Sequence, residues 1–269
     1  MSIYGAANGR VHFKDGNSVD CIRFGRGPRT IVVLPGLGDG LKTVEGMALP
    51  MSIMYRKLTR DYTVYMFSRR RELPQHFTTR QMARDVAHAM HVLRISDAYV
   101  LGVSQGGMIA QWLAIDYPQM VQKLILAVTM CRANPVVRQV IELWIRLAER
   151  RDYSGIIEDT AKRSYTEKRL RITRWMYTLL GKIGGVEDYS RFLTLAESCL
   201  RHDASKEIAK IQCPVLIIGG RRDKIVSGKA SEEIHERIPG SSLYMYDDLG
   251  HGLYEEADDF LERVTSFFD

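Results

Sequence analysis

No stretch of this chain strings together the 18 or so apolar residues that a transmembrane helix needs, so none is expected. The opening residues, MSIYGAANGRVHFKDG, have no apolar h-region, and no secretory signal is expected there. Cysteine is scarce. Cys21, Cys131, Cys199 and Cys213 stand far apart, without metal-ligand or redox spacing, and read as reduced thiols of a cytoplasmic protein. Internal repeats and low-complexity tracts are absent, which excludes solenoids and disordered arrays. No glycine-rich loop runs on into Gly-Lys-Ser or Gly-Lys-Thr, so a phosphate cradle is not indicated.

What remains is an ordinary globular composition, 45% hydrophobic and 26% charged over 269 residues. That length holds one large α/β domain or two small ones. The net charge of +6 is modest, and most of it is local: Cys131 to Trp175 carries 11 Lys and Arg against 6 Asp and Glu. Such an excess reads first as a solvated face of basic helices, and second as attraction to an anionic substrate or membrane surface. No nucleic-acid module accompanies it, so no DNA or RNA partner is expected.

Strands and helices alternate through most of the chain. Val11 to Lys14 and Ser18 to Phe24 flank the turn signal Asp15-Gly16-Asn17 and predict a hairpin. Thr30 to Leu34, Ala98 to Val103, Val121 to Val128 and Pro214 to Gly219 are apolar runs of the kind buried on both faces of a parallel sheet; Tyr62 to Phe67 and Ser242 to Tyr246 are further strands. Helices are predicted over Thr78 to Leu93, with Thr78 and Gln81 as a capping box, and over Gln105 to Tyr117, Gly228 to Ile238 and Glu256 to Phe268. From about Met130 to Lys206 the pattern is helical without a convincing strand. The expected fold is therefore α/β, a mostly parallel doubly wound sheet with an antiparallel leading hairpin. A core of residues 1–129 and 207–269 would be interrupted by a helical cap, residues 130–206.

Four loops that follow predicted strands carry the candidate chemistry, at the end of a parallel sheet where ligands collect. Gly102-Val103-Ser104-Gln105-Gly106 is a G-x-S-x-G between strand and helix, a turn so sharp that its serine is strained and its flanking residues must be small. Pro35 to Gly40 is a glycine-rich loop in which the Leu37 N–H, with the Gln105 N–H, can form an oxyanion hole. Asp223 follows the apolar strand Val215 to Ile218 and can orient a histidine; Asp248 is a reserve acid. His251 follows the last strand and suits a general base. The order Ser104, Asp223, His251 differs from the chymotrypsin and subtilisin orders.

On these motifs, "GVSQGGMIAQWLAIDYPQMVQKLIL", "PVLIIGGRRDKIV" and "DDLGHG", the chain resembles the α/β-hydrolase fold superfamily over nearly its whole length, and within it the capped esterases and the 3-oxoadipate enol-lactonase group. The resemblance implies an eight-stranded sheet, a helical cap after strand 6, and hydrolysis of a small-molecule acyl substrate by water, with no metal or cofactor. Two loops depart from the pattern: Pro35-Gly36 stands where many relatives have His-Gly, and Ser68-Arg69-Arg70-Arg71-Glu72 where many have Asp-x-Arg-Gly-x-Gly. Ser104 stands where dehalogenases and epoxide hydrolases carry Asp and dienelactone hydrolases carry Cys, which points to esters, thioesters, lactones, amides or carbon–carbon bonds.

The expectation is a serine hydrolase of small or medium carboxylic esters. The alternatives are a proline-iminopeptidase-like aminopeptidase holding an ammonium on Glu142, Glu149, Glu158 or Asp159, a lactone or carbon–carbon bond hydrolase, or a receptor that kept the fold without turnover. Met108, Met130, Trp144, Trp175, Met176 and Tyr177 are candidates for an acyl pocket, with plain core as the competing reading. The oligomeric state is not legible; a homodimer is one option.

Overall fold

The computed structural model describes residues 3–269. Eight strands form one sheet in the order β1-β2-β4-β3-β5-β6-β7-β8: β1 Ala7–His12, β2 Ser18–Gly25, β3 Arg29–Leu34, β4 Tyr62–Arg70, β5 Ala98–Val103, β6 Val121–Ala127, β7 Val215–Gly220 and β8 Ser242–Tyr246. β1–β2 and β2–β4 are antiparallel; every later pairing is parallel.

The central strands are apolar on both faces because both faces are covered. Val32 and Leu34 of β3 pack into one core with Leu124 and Leu126 of β6. Their neighbours Ile31, Val33, Ile125 and Ala127 pack into the other. The first core is closed by α2 (Thr79–Val92), α3 (Gln105–Asp116) and α8 (Gly228–Arg237), the second by α1 (Ala48–Met54) and α10 (Phe260–Phe268). The Thr78–Gln81 capping box starts α2. α3 is buried from Gln105 to Ala114, as expected of a helix apolar on all sides.

Between β6 and β7 lie four helices, α4 (Pro135–Glu149), α5 (Tyr153–Ser164), α6 (Glu167–Ile183) and α7 (Ser190–Arg201). The chain leaves and returns side by side. Ala133 N–H donates to His202 O at 3.2 Å and Ala204 N–H to Cys131 O at 2.7 Å, closing the base of the excursion.

Three expected boundaries move, one of them the end of β4, which runs on from Phe67 to Arg70. The first strand runs Ala7–His12, not Val11 to Lys14, because its exposed outer half carries no apolar alternation and is placed only by pairing with β2. The last helix, expected over Glu256 to Phe268, starts at Phe260 as α10, and a separate short helix, α9 (Leu253–Glu256), precedes it, with the extended Ala257 between them. No described helix is long and apolar enough to cross a membrane.

Candidate active site

β5 runs straight into α3, and Ser104 stands at the corner with φ 53° and ψ −120°. That conformation is costly for a residue with a side chain and survives only when its surroundings enforce it. Here Ser104 N–H donates to Ala127 O at 2.9 Å, and its carbonyl accepts from Thr129 Oγ1 at 2.7 Å. The small flanking residues are required by contact: a Cβ on Gly106 would stand 1.9 Å from the Leu34 carbonyl oxygen, and one on Gly102 2.6 Å from Gly107 Cα.

His251, on the loop after β8, brings Nε2 to 3.0 Å from Ser104 Oγ and Nδ1 to 2.8 Å from Asp223 Oδ2. An ionised carboxylate only accepts, so Nδ1 carries the proton and Nε2 is left to accept from the serine hydroxyl. Asp223, on the loop after β7, is itself fixed, its Oδ1 accepting from Ile225 N–H at 2.8 Å and Val226 N–H at 2.9 Å. Both Asp223 and His251 are buried. Asp248 lies elsewhere, solvent-exposed and paired with Arg222, so the reserve acid is excluded by position.

The glycine-rich loop lies against the serine: a Cβ on Gly36 would contact Ser104 Cβ at 3.3 Å and Oγ at 3.8 Å. Leu37 opens a short 3-10 helix, Leu37–Gly40, and Gln105 opens α3. Leading N–H groups of helices have no intrahelical acceptor. Leu37 and Gln105 each lead a helix, so neither N–H has an intrahelical acceptor, as an oxyanion donor requires.

A buried polar network backs this arrangement, and sequence reasoning missed its centre. Arg69, at the end of β4, is buried, and burial lowers its pKa. Its Nη2 donates to Pro35 O at 2.6 Å and to Gln105 Oε1 at 3.0 Å. Gln105 Nε2 in turn donates to Leu195 O at 2.8 Å in α7. Asp39 Oδ2 accepts from Arg69 N–H at 3.0 Å and from Arg191 Nη2 of α7 at 2.7 Å. One network thus joins the glycine-rich loop, the serine turn and the last inserted helix.

Above Ser104 and His251 lies a largely apolar cavity of about 460 Å³. Its walls come from the inserted helices (Val137, Ile141, Trp144, Ile156, Phe192) and from the segment around α1 (Met47, Met51, Met54, Tyr55). Of the sequence candidates, Met108 and Trp144 line it. Met130, Met176, Trp175 and Tyr177 do not. Met130 is core, its carbonyl accepting from Gln111 Nε2; Trp175 is 69% exposed; Tyr177 stacks behind Tyr165 on α6. The α1 wall had no usable signal, being a single helix of seven residues. Cys199 also lines the cavity, and burial pushes its thiol up to about 11, so it stays protonated near neutral pH.

The chain is similar to several known hydrolases. A serine hydrolase of Mus musculus, BPHL, is 28% identical over 254 residues, covering 91% of this chain and 81% of that protein. A putative carbamate hydrolase, RutD, of Caulobacter vibrioides is 24% identical over 211 residues, 74% of this chain and 75% of that protein. The solved structure of the enol-lactonase from Burkholderia xenovorans superposes with a TM-score of 0.80 at 19% identity, over 97% of this chain and 99% of that one. Residues 29–258 match the family model described as the alpha/beta hydrolase fold, and the chain belongs to that family.

Proposed function

We propose that the protein hydrolyses carboxylic esters of small to medium acyl groups through an acyl-enzyme on Ser104. The observation that carries this reading is the continuous relay from Ser104 Oγ through the His251 ring to Asp223 Oδ2, opening into an apolar cavity. His251 Nε2 takes the hydroxyl proton as Ser104 Oγ attacks the acyl carbon. Asp223 holds the ring in the required tautomer and stabilises the imidazolium that forms. The tetrahedral oxyanion is met by the Leu37 and Gln105 N–H groups. The imidazolium then gives its proton to the departing alcohol, and water, activated by the same nitrogen, cleaves the acyl-enzyme.

In this reading residues 130–206 serve as a cap. The acyl group lies among Met108, Trp144, Ile141 and Phe192, and the cavity size is within the usual range for small-molecule sites, roughly 300–1,000 Å³. An aminopeptidase needs a carboxylate facing the cavity for the substrate ammonium. Glu142, Glu149, Glu158 and Asp159 are outside its walls, and Asp159 is engaged by Trp144 Nε1 and Arg163. Two carboxylates do line it, Asp39, whose Oδ2 pairs with Arg191, and Glu255, which accepts from the Tyr165 hydroxyl, so turnover of an aminoacyl arylamide is the outcome that would favour the aminopeptidase reading.

A panel of p-nitrophenyl esters and aminoacyl arylamides tests the proposal. Turnover is expected to rise from acetate to longer acyl chains, with arylamides inert. The Ser104→Ala variant should be inactive at an unchanged melting temperature. No ester turnover by folded wild-type protein would favour the receptor reading.

A further inference from the structure

The helix α6 presents its apolar side outward. Ile172, Trp175 and Ile183 are 66%, 69% and 73% exposed, and Leu179 is 46% exposed. Their spacing of three, four and four residues sets them on one stripe of a helix roughly 25 Å long. The opposite side is the packed one. Tyr177 stacks on Tyr165, and Gly181 sits so close to α5 that a Cβ there would be 2.6 Å from Ser154 Oγ. The outward stripe is thus a surface separate from the face that α6 packs on α5.

The charge around the stripe is of one sign. α6 carries Lys168, Arg169, Arg171, Arg174 and Lys182 against the single acid Glu167. Lys168, Arg171 and Lys182 flank the stripe at helical spacing. On the other side of α6, along the seam with α5, is a groove of about 300 Å³ that holds Lys162, Arg171 and Arg174 together with Glu158 and Glu167. Glu158 lies 4.0 Å from Lys162, and Glu167 occupies the first turn of α6, where a carboxylate complements the helix dipole. Arg171 and Arg174 have no ion-pair partner among the described residues.

We propose that α6 docks the protein on an anionic lipid bilayer, with the stripe at the acyl boundary and the flanking Lys168, Arg171 and Lys182 among the headgroups. An apolar face rimmed by Lys and Arg, with a Trp in it, suits a helix lying in the plane of such an interface. A second copy fits less well, since a two-fold contact sets the five cations of one α6 against the five of another. A soluble anion would satisfy the groove but leave the stripe in water. The inference is separate from the chemistry proposed at Ser104 and does not depend on it.

The test is sedimentation of the full-length protein with vesicles of phosphatidylcholine alone and of phosphatidylcholine mixed with phosphatidylglycerol, at low and high salt. Binding is expected to the mixed vesicles, to weaken with salt, and to shift Trp175 emission to the blue, Trp112 and Trp144 being already buried. The paired substitutions Ile172→Ser with Leu179→Ser should weaken partition by roughly tenfold or more. The pair Lys168→Glu with Arg171→Glu should remove the preference for the mixed vesicles, and circular dichroism should show both variants folded. Absence of vesicle binding by the wild type overturns the proposal, as does equal binding to phosphatidylcholine alone. A dimer in sedimentation that Trp175→Ala dissociates, without vesicle binding, would assign the stripe to a second copy and overturn it too.

Discussion

Arg69 shows what a single position can hide. Three arginines stand in a row, and the chain treats them differently. Arg70 pairs with Asp85 and Asp15, and Arg71 with Asp20 and Glu45, toward the rim of the sheet. Arg69 alone turns inward, where its Nε and Nη1 have no partner among the described residues. A buried cation with so few hydrogen bonds is expensive, and its position between the Pro35 carbonyl and the Gln105 side chain gives it a task. It holds in register the two loops whose N–H groups are proposed to meet the oxyanion. Arg69→Met is therefore expected to lower kcat by about tenfold or more with little change in KM, since the donors act mainly in the transition state. Arg69→Lys, which keeps one donor and the charge, should recover part of the loss. Equal rises in KM and falls in stability, without a kcat effect, would reduce Arg69 to a structural residue. Nothing in the sequence separated it from its neighbours. Ser104, Asp223 and His251 were legible as candidates because each follows a predicted strand, and the topology gathers them at one end of the sheet.

At the scale of elements, the parallel strands were the most legible. β3, β5, β6 and β7 are apolar on both faces, and their limits lie within a residue or so of the expected ones. β1 was misplaced because an exposed edge strand leaves little trace in hydropathy. The helical excursion was visible as a break in alternation, but the way its helices meet the core was not. One such seam is carried by His202, at the end of α7. Its Nδ1 accepts from Thr79 Oγ1 of α2 at 2.9 Å, and its Nε2 lies 3.3 Å from Gln111 Oε1 of α3. Burial there lowers its pKa from 6.5 to about 4. The folded protein thus resists a proton that the unfolded chain accepts. Stability is full above the unfolded value, falls as pH drops from about 6.5 toward 4, and levels off below. At pH 5 the loss from this one residue is about 2 kcal/mol. Urea unfolding at pH 7.5 and pH 5 should show a smaller pH-dependent loss for His202→Gln than for the wild type. An identical loss in both would mean that His202 does not set the acid sensitivity.

Taken whole, the molecule places its candidate site where the sheet meets the helices inserted between β6 and β7. The sheet supplies the serine turn, the acid loop and the histidine loop from its strand ends. The helices between β6 and β7 and the segment around α1 supply the apolar walls. Family membership follows from the whole chain, whereas the substrate follows only from the walls, and those walls were the least legible part of the sequence. Met47, Met51, Met54, Tyr55 and Phe192 reach one cavity from segments far apart in the chain, and no local pattern marks such convergence. Trp175 shows the converse, an aromatic in the inserted helices that faces solvent. The central claim is that Ser104 is a nucleophile activated by His251. The most direct test is intact-mass measurement after exposure to a fluorophosphonate, followed by peptide mapping. One adduct per chain is expected on the peptide containing Ser104, absent from Ser104→Ala and formed much more slowly in His251→Ala. A folded wild-type protein that takes up no adduct, or carries it on another residue, would contradict it.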